Sequence, residues 1–196
     1  MTLRFLFLWL VSFLVGAGVM VVEITGARLL APTYGVSPVP WTGVIAAVLA
    51  GVALGNAWGG RRSAGGTRAL PGLLVAAALF ALLPLFRADL PDRLFDLLGL
   101  PLGVVTTSLL LFFPAAFLLG AAAPLLVQLG TRRLDEVGRK TGLLNGANAL
   151  GAIGGTLATG FVLIPLLPIS WILAVAGGLL GALGLATRFV TREAGE

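Results

Sequence analysis

The sequence contains no cysteine and no histidine. Their absence excludes disulfides, thiolate nucleophiles, imidazole metal ligands and histidine acid–base catalysis. It says nothing about the redox compartment. Charge is scarce as well. Only 11% of the residues are Asp, Glu, Lys or Arg, whereas a water-soluble domain carries about 25% to hydrate its surface. Apolar residues make up 58% of the chain, and the mean hydropathy is +1.05. Such a chain lacks the charge to cover a water-facing exterior. Its expected solvent is the lipid bilayer.

The formal charge of +5 raises the question of nucleic acid, and position answers it. The basic residues fall in short clusters between apolar runs, not along a stripe interleaved with aromatics, so no nucleic-acid partner is expected. No metal site or cofactor is expected either. The glycine-rich stretches follow no strand and precede no acidic residue at dinucleotide spacing.

Charges and prolines delimit the apolar runs. They predict an all-α integral membrane protein of about six transmembrane helices. The expected spans cover residues 5–30, 41–60, 69–86, 101–130, 142–163 and 170–187 of a single transmembrane domain. Pro32, Pro38 and Pro40 mark an uncharged loop over 31–40. Residues 87–100 read as a loop with a short interfacial helix, and 132–140 as a surface helix on the inner leaflet, its arginines suited to anionic headgroups. Pro114 and Pro124 predict a kink or break in the fourth span.

Counting the basic residues sets the orientation. With the N-terminus inside, Arg4, Arg61, Arg62, Arg68, Arg132, Arg133, Arg139, Lys140, Arg188 and Arg192 are cytoplasmic. Only Arg28, Arg87 and Arg93 lie toward the outside. Both termini are therefore expected in the cytoplasm. A secretory signal is the alternative for the first segment, with Arg4 preceding an apolar run over 5–22. The run is too long, a carboxylate follows it, and no small-x-small cleavage site is present.

Glu23 is the most informative residue. It sits about 10 Å inside the outer end of its span at 1.5 Å per residue. A carboxylate there costs at least ~2.5 kcal/mol on insertion scales. It should face protein or water, not lipid. Gly16, Met20, Gly26 and Ala27 share its side of the helix, so a second helix can approach closely. Two readings stand. Glu23 is a cation or proton site, or it is a structural group neutralised by Arg28 or by neighbouring hydroxyls and amides. Arg28 is five residues away, off the ideal same-face spacing.

Small residues recur every fourth position in the second span, at Gly43, Ala47, Gly51, Gly55 and Gly59. The fifth span repeats the idea with Gly146, Ala147, Gly151 and Gly155. Such rows let helix backbones meet where lipid removes the hydrophobic drive. Four amides, Asn56, Gln128, Asn145 and Asn148, lie at comparable inner depth. They can line an inward-facing polar vestibule or serve as interhelical glue. A Gly-rich span central in each half hints at an inverted three-plus-three repeat, with binding at the repeat interface.

Several stretches carry a family resemblance. They are Glu23-Ile-Thr-Gly-Ala-Arg-Leu-Leu-Ala-Pro, Tyr34-Gly, Trp41-Thr-Gly-Val-Ile and Leu49-Ala-Gly-Val-Ala-Leu-Gly. Leu119-Gly through Pro124, Val137-Gly-Arg, Asn148-Ala-Leu-Gly-Ala-Ile-Gly-Gly-Thr and Gly160-Phe-Val-Leu-Ile-Pro follow in the second half. In this order the chain resembles the membrane half of bacterial spermidine-synthase-like proteins, fusions of a major-facilitator-type region with a spermidine synthase. The resemblance implies a half-major-facilitator bundle in the bacterial cytoplasmic (inner) membrane. It adds Glu23 and Arg28 as site candidates within the family motif.

Family members usually continue into a soluble aminopropyltransferase domain that binds decarboxylated S-adenosylmethionine and a diamine. This sequence stops at Glu196, just after the sixth span. It is expected to be no enzyme, being either the membrane part alone or a chain that has been cut. The leading expectation is a transporter-like protein for polyamines or other organic cations, with a homodimer supplying the second half of the bundle. The alternative is a membrane anchor or regulatory module for a soluble aminopropyltransferase partner.

Overall fold

A computed structural model describes residues 3–63, 67–131 and 136–192, and no strand occurs among them. In hydrocarbon every backbone N–H and C=O must find its partner inside the chain, which favours long helices. Helix α1 spans Leu3–Tyr34 and α2 Pro38–Ser63. Gly35 ends α1 in the left-handed region (φ +80°), and its N–H donates to the Ala31 carbonyl at 2.9 Å. The loop expected over 31–40 therefore shrinks to residues 35–37. Pro32 is tolerated in the last turn of α1, at the loss of one backbone bond, and Pro38 opens α2 where no intrahelical donor is needed.

A short 3-10 turn, Thr67–Ala69, leads into α3, Leu70–Phe86. Helix α4 covers Leu90–Leu111 but breaks at Gly99 (φ +71°, ψ −173°), a conformation essentially restricted to glycine. The expected loop at 87–100 is thus a short helix ending at a glycine hinge. Helix α5, Phe113–Gly130, follows without a loop. The Phe112 N–H donates to the Ser108 carbonyl (3.0 Å) and the Ala116 N–H to the Phe112 carbonyl (3.1 Å). Pro114, which has no N–H, sits in the first turn of α5 and accounts for the division.

Helix α6 runs over Val137–Ala158, so its first turn absorbs residues expected in a separate surface helix. Residues 132–135, the remainder of that expected element, lie outside the described ones. Helix α6 widens into a π-turn at Thr159–Leu163 and continues through α7, Ile164–Leu166. Leu167 is extended (φ −130°, ψ 144°), and α8 then spans Ile169–Arg192.

Among the described residues, seven helical stretches are long and apolar enough to cross a membrane: Leu3–Tyr34, Pro38–Ser63, Thr67–Phe86, Leu90–Leu111, Phe113–Gly130, Val137–Leu166 and Ile169–Phe189. The outer surface agrees with a lipid solvent. Phe161 is 78% exposed, Leu79 66% and Trp171 65%. A soluble domain does not present large apolar side chains so widely.

Three close seams hold the bundle together. Along the first, Gly16 of α1 meets the Asn148 carbonyl and the Ala152 nitrogen, while Gly151 meets the Phe13 carbonyl and Gly155 that of Ala17. Residue numbers rise together, so α1 and α6 run parallel. Along the second, Gly43 meets Val104, Gly51 the Phe113 carbonyl, and Gly55 and Gly59 the backbone of Phe117 and Ala121. Helix α2 thus runs parallel to α4 and α5 in turn, which lie end to end beside it. Along the third, Gly177 meets Leu82 and Gly184 meets Val75, so α3 and α8 are antiparallel. Six of the seven glycines expected to pack do so. The seventh, Gly146, has no atom within 4 Å of where a Cβ would stand.

Helix α1 is the hub, touching α2, α4, α5, α6 and α8. At its C-terminal end the single tyrosine of the chain, Tyr34, is buried. Its hydroxyl donates to the Pro91 carbonyl (2.9 Å) and shares a bond with the Thr107 hydroxyl (2.9 Å). Beside it the Thr33 hydroxyl donates to Asp92 (2.6 Å). These bonds clamp the short helix before Gly99 onto α1. Tyr34→Phe removes the hydroxyl and leaves two buried groups without their partner, at about 1–3 kcal/mol. The expected result is a clearly lower thermal unfolding midpoint in detergent, with an unchanged helical circular dichroism spectrum before the transition.

Candidate functional site

Glu23 lies in the C-terminal half of α1, part-buried, and its Oε2 atom is fully enclosed without a hydrogen-bond partner. The register explains where it points. Gly16 shares the face of Glu23, seven residues and two turns earlier. Gly16 is pressed against Asn148 and Ala152, and helical register carries this face two turns further, to the depth of Gly155 and Thr159 on α6.

Arg28 does not neutralise it. Arg28 is exposed, and no ion pair or hydrogen bond joins the two side chains. Of the two readings of Glu23, the one resting on an Arg28 pair finds no contact to support it. Glu23 is the only acidic residue within the six runs delimited from the sequence. Asp92 and Asp96 lie in the first turns of α4 and Asp89 just before it, where Asp89 pairs with Arg93 (2.9 Å) and lies 3.8 Å from Arg87. Among the described residues, no group of three acidic side chains gathers where a metal ion could be held.

The opposite face of α1 has no chemistry. Leu14, Gly18 and Val21 border a cavity of about 120 Å³ against α8, lined by apolar residues throughout.

A second polar region forms where the C-terminal turns of α2 and α5 meet the first turns of α6. Asn56 of α2, Gln128 of α5 and Asn145 of α6 line one cavity of about 580 Å³. Ser63, Thr131 and Thr141 add hydroxyls to its wall. Pro124 also borders the cavity, and a proline here frees a backbone carbonyl on the turn before it. The Thr141 hydroxyl is enclosed with no partner. Among the described residues, no charged side chain contributes to the lining. Three of the four amides singled out from the sequence therefore converge.

Asn148 does not join them. Its amide donates to the Ser12 carbonyl of α1 (3.2 Å), and the Ser12 hydroxyl donates to the Leu144 carbonyl of α6 (2.8 Å). Asn148 is glue in the seam. Since Ser12 stands level with Leu144, Glu23 lies roughly 15 Å from the amide cavity along the bundle. The sequence-derived candidates thus divide between two depths. Arg28 belongs with neither cluster.

Four residues that sequence reading passed over matter here: Ser12, Thr141, Thr159 and Tyr34. Ser12 and Thr159 are hydroxyls inside apolar runs, and Tyr34 and Thr141 lie just beyond the ends of theirs. The available signal was a hydroxyl placed one or two turns from a small-residue position, where a neighbouring backbone comes within reach. The chain matches no family model, no curated protein and no solved structure.

Proposed function

We propose that this chain is a six-pass, transporter-like membrane protein in which Glu23 binds a cation or proton during transport. The observation that carries the reading is the enclosed, partnerless oxygen of Glu23 at the hub helix. An acid held there without compensation is costly, and intramembrane acids of this kind mark ion and substrate pathways. The inner amide cavity supplies a polar approach from the cytoplasmic side, where most of the arginines lie.

Six passes follow if α4 after Gly99 and α5 form one interrupted crossing. The end-to-end alignment of these two helices along α2 supports that count. The three seams support an inverted repeat. Exchanging the first three crossings for the last three turns the α1–α6 seam into the α2–α5 seam, both parallel, and maps the antiparallel α3–α8 seam onto itself. Half of a major-facilitator bundle has this plan, and a homodimer would complete it. The resemblance to spermidine-synthase-like membrane domains suggests polyamines or related organic cations as substrates, and the bacterial inner membrane as the location. Purified protein in liposomes should take up radiolabelled spermidine, and Glu23→Gln should stop it.

One observation favours a second reading. Arg61, Arg62, Arg68 and Arg139 are exposed at the inner helix ends, where a soluble aminopropyltransferase could dock on a membrane anchor. That reading predicts no flux from the wild type and co-purification of the enzyme.

A further inference from the structure

Glu23 Oε2 is not the only enclosed polar atom without a partner near the continuation of the α1–α6 seam. The hydroxyl of Thr159 is also buried with no hydrogen-bond partner. Thr159 continues the buried stripe Ala147, Gly151 and Gly155 that faces α1. It stands one turn beyond Gly155, which is packed against Ala17. The carboxyl of Glu23 leans back toward the N-terminus of its helix, as helical side chains do, and this brings it to the depth of Thr159.

The backbone changes at the same point. The π-turn begins at Thr159, whose carbonyl accepts from the Ile164 N–H, five residues on. A widened turn leaves a carbonyl without its usual α-helical donor, and such turns are frequent at functional sites. Carboxylate, hydroxyl and re-registered carbonyls are all oxygen donors.

We propose that the Glu23 carboxylate and the Thr159 hydroxyl are two ligands of one sodium site in the seam between α1 and α6. The proposal rests on the reading of Glu23 as a cation-binding group and adds the ion and its second ligand. A hard cation requires several oxygens around it, and the seam provides them from two helices and a widened turn. A proton needs one acceptor and gives Thr159 no necessary role.

Sodium binding is read as thermal stabilisation of the full chain in detergent, with NaCl replacing choline chloride at constant ionic strength. The wild-type midpoint should rise and saturate with sodium. Glu23→Gln should abolish the rise. Thr159→Val should raise the half-saturating sodium concentration by about tenfold or more, as expected when one polar ligand is lost. Thr159→Ser, which keeps the hydroxyl, should respond like the wild type. Each variant should elute as a single species without sodium.

Two results overturn the assignment of Thr159 while leaving Glu23 in place. One is a wild-type sodium response in Thr159→Val when Glu23→Gln has lost it. The other is a Thr159→Ser variant as impaired as the valine. A wild type indifferent to sodium overturns the ion itself. Uptake that still depends on Glu23 would then point to a proton.

Discussion

Replacing Gly151 with leucine is expected to leave no folded protein in the membrane. A Cβ at this position overlaps the Phe13 carbonyl oxygen, and the carbonyl carbon and Cα of Phe13 lie just behind it. The obstacle is backbone, so no rotamer change relieves it. Helices α1 and α6 would have to separate, breaking the Ser12–Leu144 and Asn148–Ser12 bonds with them. Overpacking commonly costs about 1–3 kcal/mol when side chains can yield, and more when they cannot. That is a large fraction of a net stability of about 5–15 kcal/mol. Gly146→Leu is the matched control, because nothing stands near that position. Size-exclusion of detergent extracts should give a sharp peak for Gly146→Leu and none for Gly151→Leu.

Glu23→Gln is expected to reduce spermidine uptake by roughly tenfold or more, the usual scale for losing a charged hydrogen-bonding partner. The change is nearly isosteric and removes a buried charge, so folding should be preserved. Elution and unfolding midpoint at low sodium should match or exceed the wild type. Undiminished uptake would remove Glu23 from the mechanism. Absence of uptake in the wild type would favour the anchoring role.

The solvent of this protein was legible in its composition, and the division into helices in its charges and prolines. The interruption near Pro114 was readable because a missing N–H acts locally. Helix facing was not. An amphipathic soluble helix declares its buried side through polarity, but here lipid-facing and protein-facing positions are equally apolar. What distinguishes Gly151 from Gly146 is which backbone lies opposite, a pairwise property that no single segment contains.

The same reason hid the fate of the amides. Asn145 and Asn148 share a helix face in sequence terms, yet one lines the inner cavity and the other is drawn into the α1 seam by Ser12. Gly99 and the π-turn at Thr159 also escaped notice. A glycine is common in these spans, so one with positive φ does not stand out. A π-turn leaves no fixed residue signature. Glu23 was readable because a carboxylate in an apolar run is conspicuous whatever its surroundings.

The central claim is that the chain threads a bilayer with its amide cavity open to the cytoplasm and the α1–α2 connection outside. The natural lack of cysteine makes this directly measurable, since one thiol can be introduced with none to remove. Val36, between α1 and α2, is 85% exposed. In intact cells a membrane-impermeant maleimide should label Val36→Cys, whereas Asn145→Cys should react only in inside-out vesicles. Labelling of both from the same side would contradict the account.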